Sequence, residues 1–182
     1  MNLHWLRVRG ANNTGQAHRV VGSVALATIT GMAGVGYAQE RANYFNDPFL
    51  QITNGLAACT VPEGPSLTRD EVRVQSHLRS EHGTRCYLSG RCRLPNSYLY
   101  DQEIISRVKK AIDTDGRFAD TSVWAEGQRR WVTLKGCVRS KSESEALVQL
   151  ARSIDDVVMV VNELVVGMDH SGRAKTAERR SQ

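Results

Sequence analysis

The sequence predicts an α+β fold: two helices packed on one face of a three-stranded mixed sheet, ordered helix, strand, strand, helix, strand, behind an N-terminal helix-plus-loop extension. Three observations carry this. Two segments, 101–116 and 140–155, repeat apolar residues at helical spacing. Two alternating segments meet around Gly127-Gln128. A β-branched run follows the second helical segment, and that strand can rejoin the sheet only by a crossover, so at least one strand pair is expected to be parallel.

From the N-terminus, residues 1–19 are polar and basic, and Val20 to Gly36 carry no charge. Gly36 and Ala38 then fit the small-x-small rule, so residues 1–38 read as a signal peptide cut after Ala38. The full chain carries +5. Arg7, Arg9 and Arg19 belong to the leader, which has no acid; beyond it 21 basic and 19 acidic residues leave a net of +2. That balance excludes a nucleic-acid footprint. Leu56-Ala57-Ala58-Cys59 spells a lipidation motif, but a lipidated cysteine must directly follow the apolar run. Glu40, Arg41, Asp47 and Pro48 intervene, so the match is read as coincidental.

Residues 39–96 form the extension. Gln39 to Leu67 reads as irregular, with Asp47-Pro48, Asn54-Gly55 and Pro62 to Pro65 as breakers. Thr68 to Gly83 reads as a largely solvated helix, opened by a Thr68–Glu71 capping box and stopped at Gly83. The loop after it carries Arg85, Arg91 and Arg93. Cys59, Cys86, Cys92 and Cys137 all follow the cleavage point, and an even count in an exported chain implies disulfides. Three connectivities are possible. Cys86 and Cys92 can close a small loop through Gly90, which would leave Cys59 for Cys137. His77, His82, Cys86 and Cys92 are the competing metal reading; no zinc spacing is matched, and no metal or cofactor is expected. His77, Glu81 and His82 are the one acid/base cluster; no nucleophile or phosphate loop joins them, so no enzyme is expected.

In the domain proper, Asp101 is placed as N-cap of a helix carrying Ile104, Ile105, Val108, Ala111 and Ile112, stopped near Gly116. In the second strand Val132, Leu134, Gly136 and Val138 face the helices. Trp131, Thr133, Lys135 and Cys137 face away, joined by Trp124 of the first strand. Leu147, Leu150, Ala151 and Ile154 stripe the second helix, capped by Ser140 with Glu143 or Ser142 with Glu145. The last strand is apolar on both faces, through Val157, Met159 and Val161 and through Val158 and Val160. Such a strand is normally covered twice, and the extension, pinned through Cys137, is the expected cover. Residues 169–182 read as a disordered tail.

Residues 97–168 resemble a BON domain, the module of osmotically inducible periplasmic and transport-associated bacterial proteins. The resemblance runs through Asp101, Ile104, Val108, Ala111 and Ile112. It continues through Val123, through Val132, Thr133, Leu134, Gly136 and Val138, and through Val157, Val160 or Val161, Asn162 and Leu164. Asp156 stands where the family has glycine, which questions the turn before the last strand. The resemblance implies a non-enzymatic envelope module that meets anionic phospholipid or envelope proteins. Arg129, Arg130, Arg85, Arg91 and Arg93 are the candidate lipid-binding residues, with Trp131 expected to be tucked under the extension.

Overall fold

Four strands form the sheet, where the sequence predicts three. The computed structural model describes residues 39–167; the signal peptide expected over 1–38 and the tail expected over 169–182 lie outside them. The elements are β1 (Phe49–Gln51), α1 (Arg69–Gly83), α2 (Arg85–Leu88), a 3-10 turn (Ser97–Tyr100), α3 (Asp101–Asp115), β2 (Ser122–Gln128), β3 (Trp131–Val138), α4 (Lys141–Arg152) and β4 (Met159–Val166). The sheet order is β1-β2-β3-β4. β1 and β3 flank β2 antiparallel, while β4 joins β3 in parallel through the α4 crossover. The α+β class and the parallel pair therefore hold. The added strand comes from the stretch read as irregular.

The core lies between the sheet and α3 and α4. Ile104, Ile105, Val108 and Ile112 meet Leu147, Val148 and Ala151 over Val123, Ala125, Val132, Leu134 and Val138. Each of the Ile, Leu and Val side chains contributes about 1.5–3 kcal/mol on burial. Ile52, just past β1, belongs to the same core, so the extension is packed into the domain. It is also stitched to β2. Ile52 N–H donates to Val123 O at 2.7 Å, and Gly55 N–H to Thr121 O at 2.7 Å. Leu56 N–H donates to Ser122 Oγ at 2.9 Å, and that hydroxyl donates back to Leu56 O at 3.0 Å. A Cβ on Gly55 would fall 2.1 Å from Ala119 O, so only glycine permits this approach.

Local signals set several boundaries. Both capping boxes form, Thr68 with Glu71 and Ser140 with Glu143. Gly116 ends α3 at φ 71°, a left-handed cap. Gly83 is the last residue of α1; a Cβ there would lie 2.4 Å from Asn96 Oδ1, so close packing accounts for it. Asp156 adopts φ 72°, which aspartate tolerates, so the turn before β4 forms without glycine.

α1 is fastened by a largely buried ion pair, besides the exposed one between Arg41 and Glu71. Arg79 Nη1 lies 2.9 Å from Asp47 Oδ1, and its Nη2 meets Oδ2. The guanidinium sits 4.0 Å from the Phe45 ring centre and 4.2 Å from that of Tyr98. Both partners are largely buried.

The far face of the sheet departs from expectation. The extension covers β2 and β3 there. Trp124 and Cys137 are buried, Cys59 is bonded to Cys137, and Lys135 Nζ donates to Glu63 O at 3.0 Å. The cover stops before β4. Met159 and Val165 are exposed on this face; Val158 and Val166 are exposed too, but they alternate to the helix side with Val160. The extension reaches the sheet beside β2, at the opposite edge from β4, and spends itself on the nearer strands. Along β4, Asn162 Oδ1 accepts from Leu164 N–H at 3.1 Å and its amide donates to Ser144 Oγ at 2.9 Å.

Candidate functional site

The site is built around the β2–β3 turn, which falls at Arg129-Arg130 and not at Gly127-Gln128. Both arginines have positive φ, 56° and 65°, the mirror-image turn that suits a two-residue hairpin. Glycine or asparagine normally takes these positions. Here Asp101 compensates. Its carboxylate accepts Arg129 N–H at 2.7 Å and Arg130 N–H at 2.6 Å. Asp101 is therefore the first residue of α3, not its N-cap, and its side chain organises the turn. Burial pushes its carboxyl up to about 6, against the lowering pull of those two N–H bonds. Gly127 stays in the strand, paired with Val132, and a Cβ there would meet Ile105 Cγ1 at 2.8 Å.

Arg130 reaches three elements. Its Nε donates to Asp156 O at 2.7 Å, its Nη2 lies 3.5 Å from Asp156 Oδ1, and its Nη1 lies 2.9 Å from Cys92 Sγ. Its guanidinium also stacks over Tyr100 at 4.9 Å. Asp156 further pairs with Arg107 at 3.0 Å. Arg129 instead lies over Trp131 at 4.6 Å. Among the described residues neither Arg129, Arg85 nor Arg91 has an acidic partner.

The second wall is the Cys86–Cys92 loop. The disulfide spans 6 residues. Inside it, Gly90 N–H donates to Tyr87 O and Arg91 N–H to Cys86 O, each at 2.9 Å, with Gly90 at φ 72°. Arg91 Nε donates to Ser89 Oγ at 2.9 Å. The bonds hold Arg91 toward the hairpin, and Arg85 starts α2 on the same side.

Between the walls lies a cleft of about 320 Å³, lined by Arg85, Arg91, Arg129, Arg130 and Trp131 together with His82 and no carboxylate. The structure thus brings together four of the five arginines singled out from sequence. Arg93 stands apart, paired with Glu103 at 3.5 Å. Trp131 is half-exposed and forms the cleft wall, rather than lying beneath the extension as expected. Ser97 also borders the cleft, and its buried hydroxyl has no hydrogen-bond partner. A cleft with this charge suits an anionic oxygen ligand, which guanidinium groups bind through paired donors.

The other candidates separate. His77 pairs with Glu81 at 3.2 Å on the solvent side of α1, while His82 turns to the cleft. Cys86 and Cys92 are bonded to each other, and Cys59 to Cys137 across 78 residues. Among the described residues no group of three His, Cys, Asp or Glu is placed to hold a metal. No described helix is long and apolar enough to cross a membrane.

Sequence reasoning missed Asp101 as the turn's organiser, because its partners are backbone N–H groups 28 and 29 residues away. It also missed Tyr87 and Leu88, which are 48% and 80% exposed at the loop tip. Their signal was present: large apolar residues inside a loop too short to bury them.

Residues 100–168 match the family model of the BON domain, so the unit from α3 to β4 is a BON domain. No curated protein matches the chain. The family is a binding-type module associated with phospholipid and is not a catalytic one. Two disulfides and a BON domain fit an extracellular or periplasmic protein. The match includes Arg129 and Arg130 and leaves out the loop carrying Arg85 and Arg91.

Proposed function

We propose that the protein is an exported, non-enzymatic module of the periplasmic envelope that associates with anionic phospholipid surfaces through the cleft between the hairpin and the cysteine loop. One observation carries the reading: four arginines border a single cleft lined by no carboxylate, and three of them, Arg85, Arg91 and Arg129, have no acidic partner among the described residues. Each such charge near an anionic leaflet contributes about 1 kcal/mol, so three unpaired arginines supply useful binding where scattered ones would not. Arg130, held by Asp156, is assigned to positioning the wall. Arg93 joins only if Glu103 releases it. The leader and its cut after Ala38 belong to the same proposal, as does a role in envelope maintenance under osmotic stress.

Sedimentation with vesicles of phosphatidylglycerol and phosphatidylcholine tests this. The protein should pellet with the mixed vesicles at low salt and stay in solution with phosphatidylcholine alone. Equal behaviour on both would sink the reading.

A second reading, a protein-interaction or chaperone-like factor, draws on a different observation: Met159 and Val165, exposed on the uncovered face of β4. Under it, a pull-down from periplasmic extract would be lost with Met159→Lys/Val165→Lys and unaffected by added lipid. Retention of partners by that variant would exclude it.

A further inference from the structure

We infer that the tip of the Cys86–Cys92 loop is a membrane-inserting anchor, with Tyr87 and Leu88 entering the boundary between headgroups and acyl chains. The inference rests on the lipid-surface reading and adds the way in which the surface is held. Leu88 is 80% exposed and Tyr87 48%. A lone exposed leucine needs no explanation. Two adjacent large apolar side chains held outward by a closed ring are different, because the ring denies them any route back to the core. The disulfide, the Gly90 turn and the bonds from Gly90 and Arg91 fix the tip in one conformation. Insertion therefore costs little ordering entropy.

The surroundings specify the occupant. Arg85 and Leu88 lie three positions apart on one helical turn and so share a face. Arg91 follows on the other side of the tip, and the exposed Val158 borders the arginine cleft opposite. Apolar groups at the centre with guanidinium groups beside them, and no acid, fit a leaflet whose phosphates are negative and whose chains begin a few ångströms below. A protein groove would not require this ring of positive charge. The tyrosine is the residue type that settles at that depth, ring in the apolar layer and hydroxyl in the polar one.

Full-length mature protein carrying Leu88→Ser and, separately, Leu88→Trp tests the assignment on vesicles of phosphatidylglycerol and phosphatidylcholine. Position 88 is exposed, so both variants should match the parent in thermal melting and disulfide content. Leu88→Ser should bind about tenfold more weakly with its salt dependence unchanged, since burying a leucine is worth at least a power of ten in an equilibrium constant. The indole added by Leu88→Trp should shift its emission to the blue on these vesicles, over the parent background, and be quenched by lipids brominated near the headgroup. If both variants pellet like the parent and the added indole neither shifts nor is quenched, the tip stays in water; the anchor is then overturned while the arginine reading stands. If the parent does not pellet at all, both fail together.

Discussion

Cys59–Cys137 and Cys86–Cys92 both start in the extension, yet they tie down different things. The first spans 78 residues and clamps the extension onto the far face of β3. Around it lie buried Leu56, Trp124 and Ser122. The second spans 6 residues; only Cys92 packs against the edge of the core, and the bond shapes a surface loop beside Arg85 that carries Arg91. Loop-closure entropy scales with the logarithm of loop length, so spans of 78 and 6 residues correspond to about 4.5 and about 2 kcal/mol. The contrast separates a bond that maintains the fold from one that maintains a site.

Removing the long staple should have the largest effect. Cys59→Ser/Cys137→Ser is expected to lose about 4 kcal/mol in urea unfolding, because the cover over Trp124 is released together with the bond. A loss below that of the short-loop variant would reverse the comparison. Next comes the link between the two regions, α1. Asp47→Ala leaves Arg79 buried between Phe45 and Tyr98 without its carboxylate, at a cost of about 3 kcal/mol. Thermal unfolding at constant pH reads this directly; an unchanged midpoint would mean that the pair is dispensable.

The short-loop variant sharpens the contrast from the other side. Cys86→Ser/Cys92→Ser should lose about 2 kcal/mol at most but bind anionic vesicles several-fold more weakly, since Arg85, Arg91 and the tip are no longer held against the hairpin. Stability and binding would then be dissociated, each bond governing one. Unimpaired vesicle binding by this variant would show that the loop need not be closed.

The smallest effect concerns Asp101 and its sign. The folded state keeps the Asp101 proton up to about 6, while the unfolded chain releases it near 3.8. Between these values folding takes up a proton, so the stability this proton provides is complete below about pH 4 and is lost as pH rises toward 6. Measured against Asp101→Asn, the parent should therefore lose relative stability across that window and stay level above it. A relative gain with rising pH would mean that the N–H bonds from Arg129 and Arg130 outweigh burial.

Much of the fold was legible because its signals are local. The Thr68–Glu71 and Ser140–Glu143 boxes, the Gly116 cap and the alternation of Val132, Leu134 and Val138 each depend on residues within a turn or a strand. β1 was not legible. Phe49–Gln51 is three residues long, too short for a period, and forms because β2 offers it an edge. The hairpin turn was misplaced for a related reason. Gly127 carries the local turn signal, but Ile105 packs where its side chain would be, and a distant carboxylate makes Arg129-Arg130 turn instead. The far face was half right: apolar periodicity in β4 announces a surface that avoids water, but cannot say how far a covering segment reaches. At the site, the arginines were visible as residue types. Their convergence was not, since it depends on a disulfide loop meeting a hairpin across some 40 residues of chain.

On the proposed function, location and not net charge makes these arginines bind lipid. The direct test compares two triple variants of equal net charge on phosphatidylglycerol vesicles: Arg85→Ala/Arg91→Ala/Arg129→Ala at the cleft, and Arg69→Ala/Arg73→Ala/Arg152→Ala at exposed helix positions elsewhere. The cleft variant should bind about a hundredfold more weakly, as three charges of about 1 kcal/mol each imply, while the control keeps most of the parent's affinity. Equal losses in the two variants would contradict the claim and reduce the cleft to ordinary surface charge.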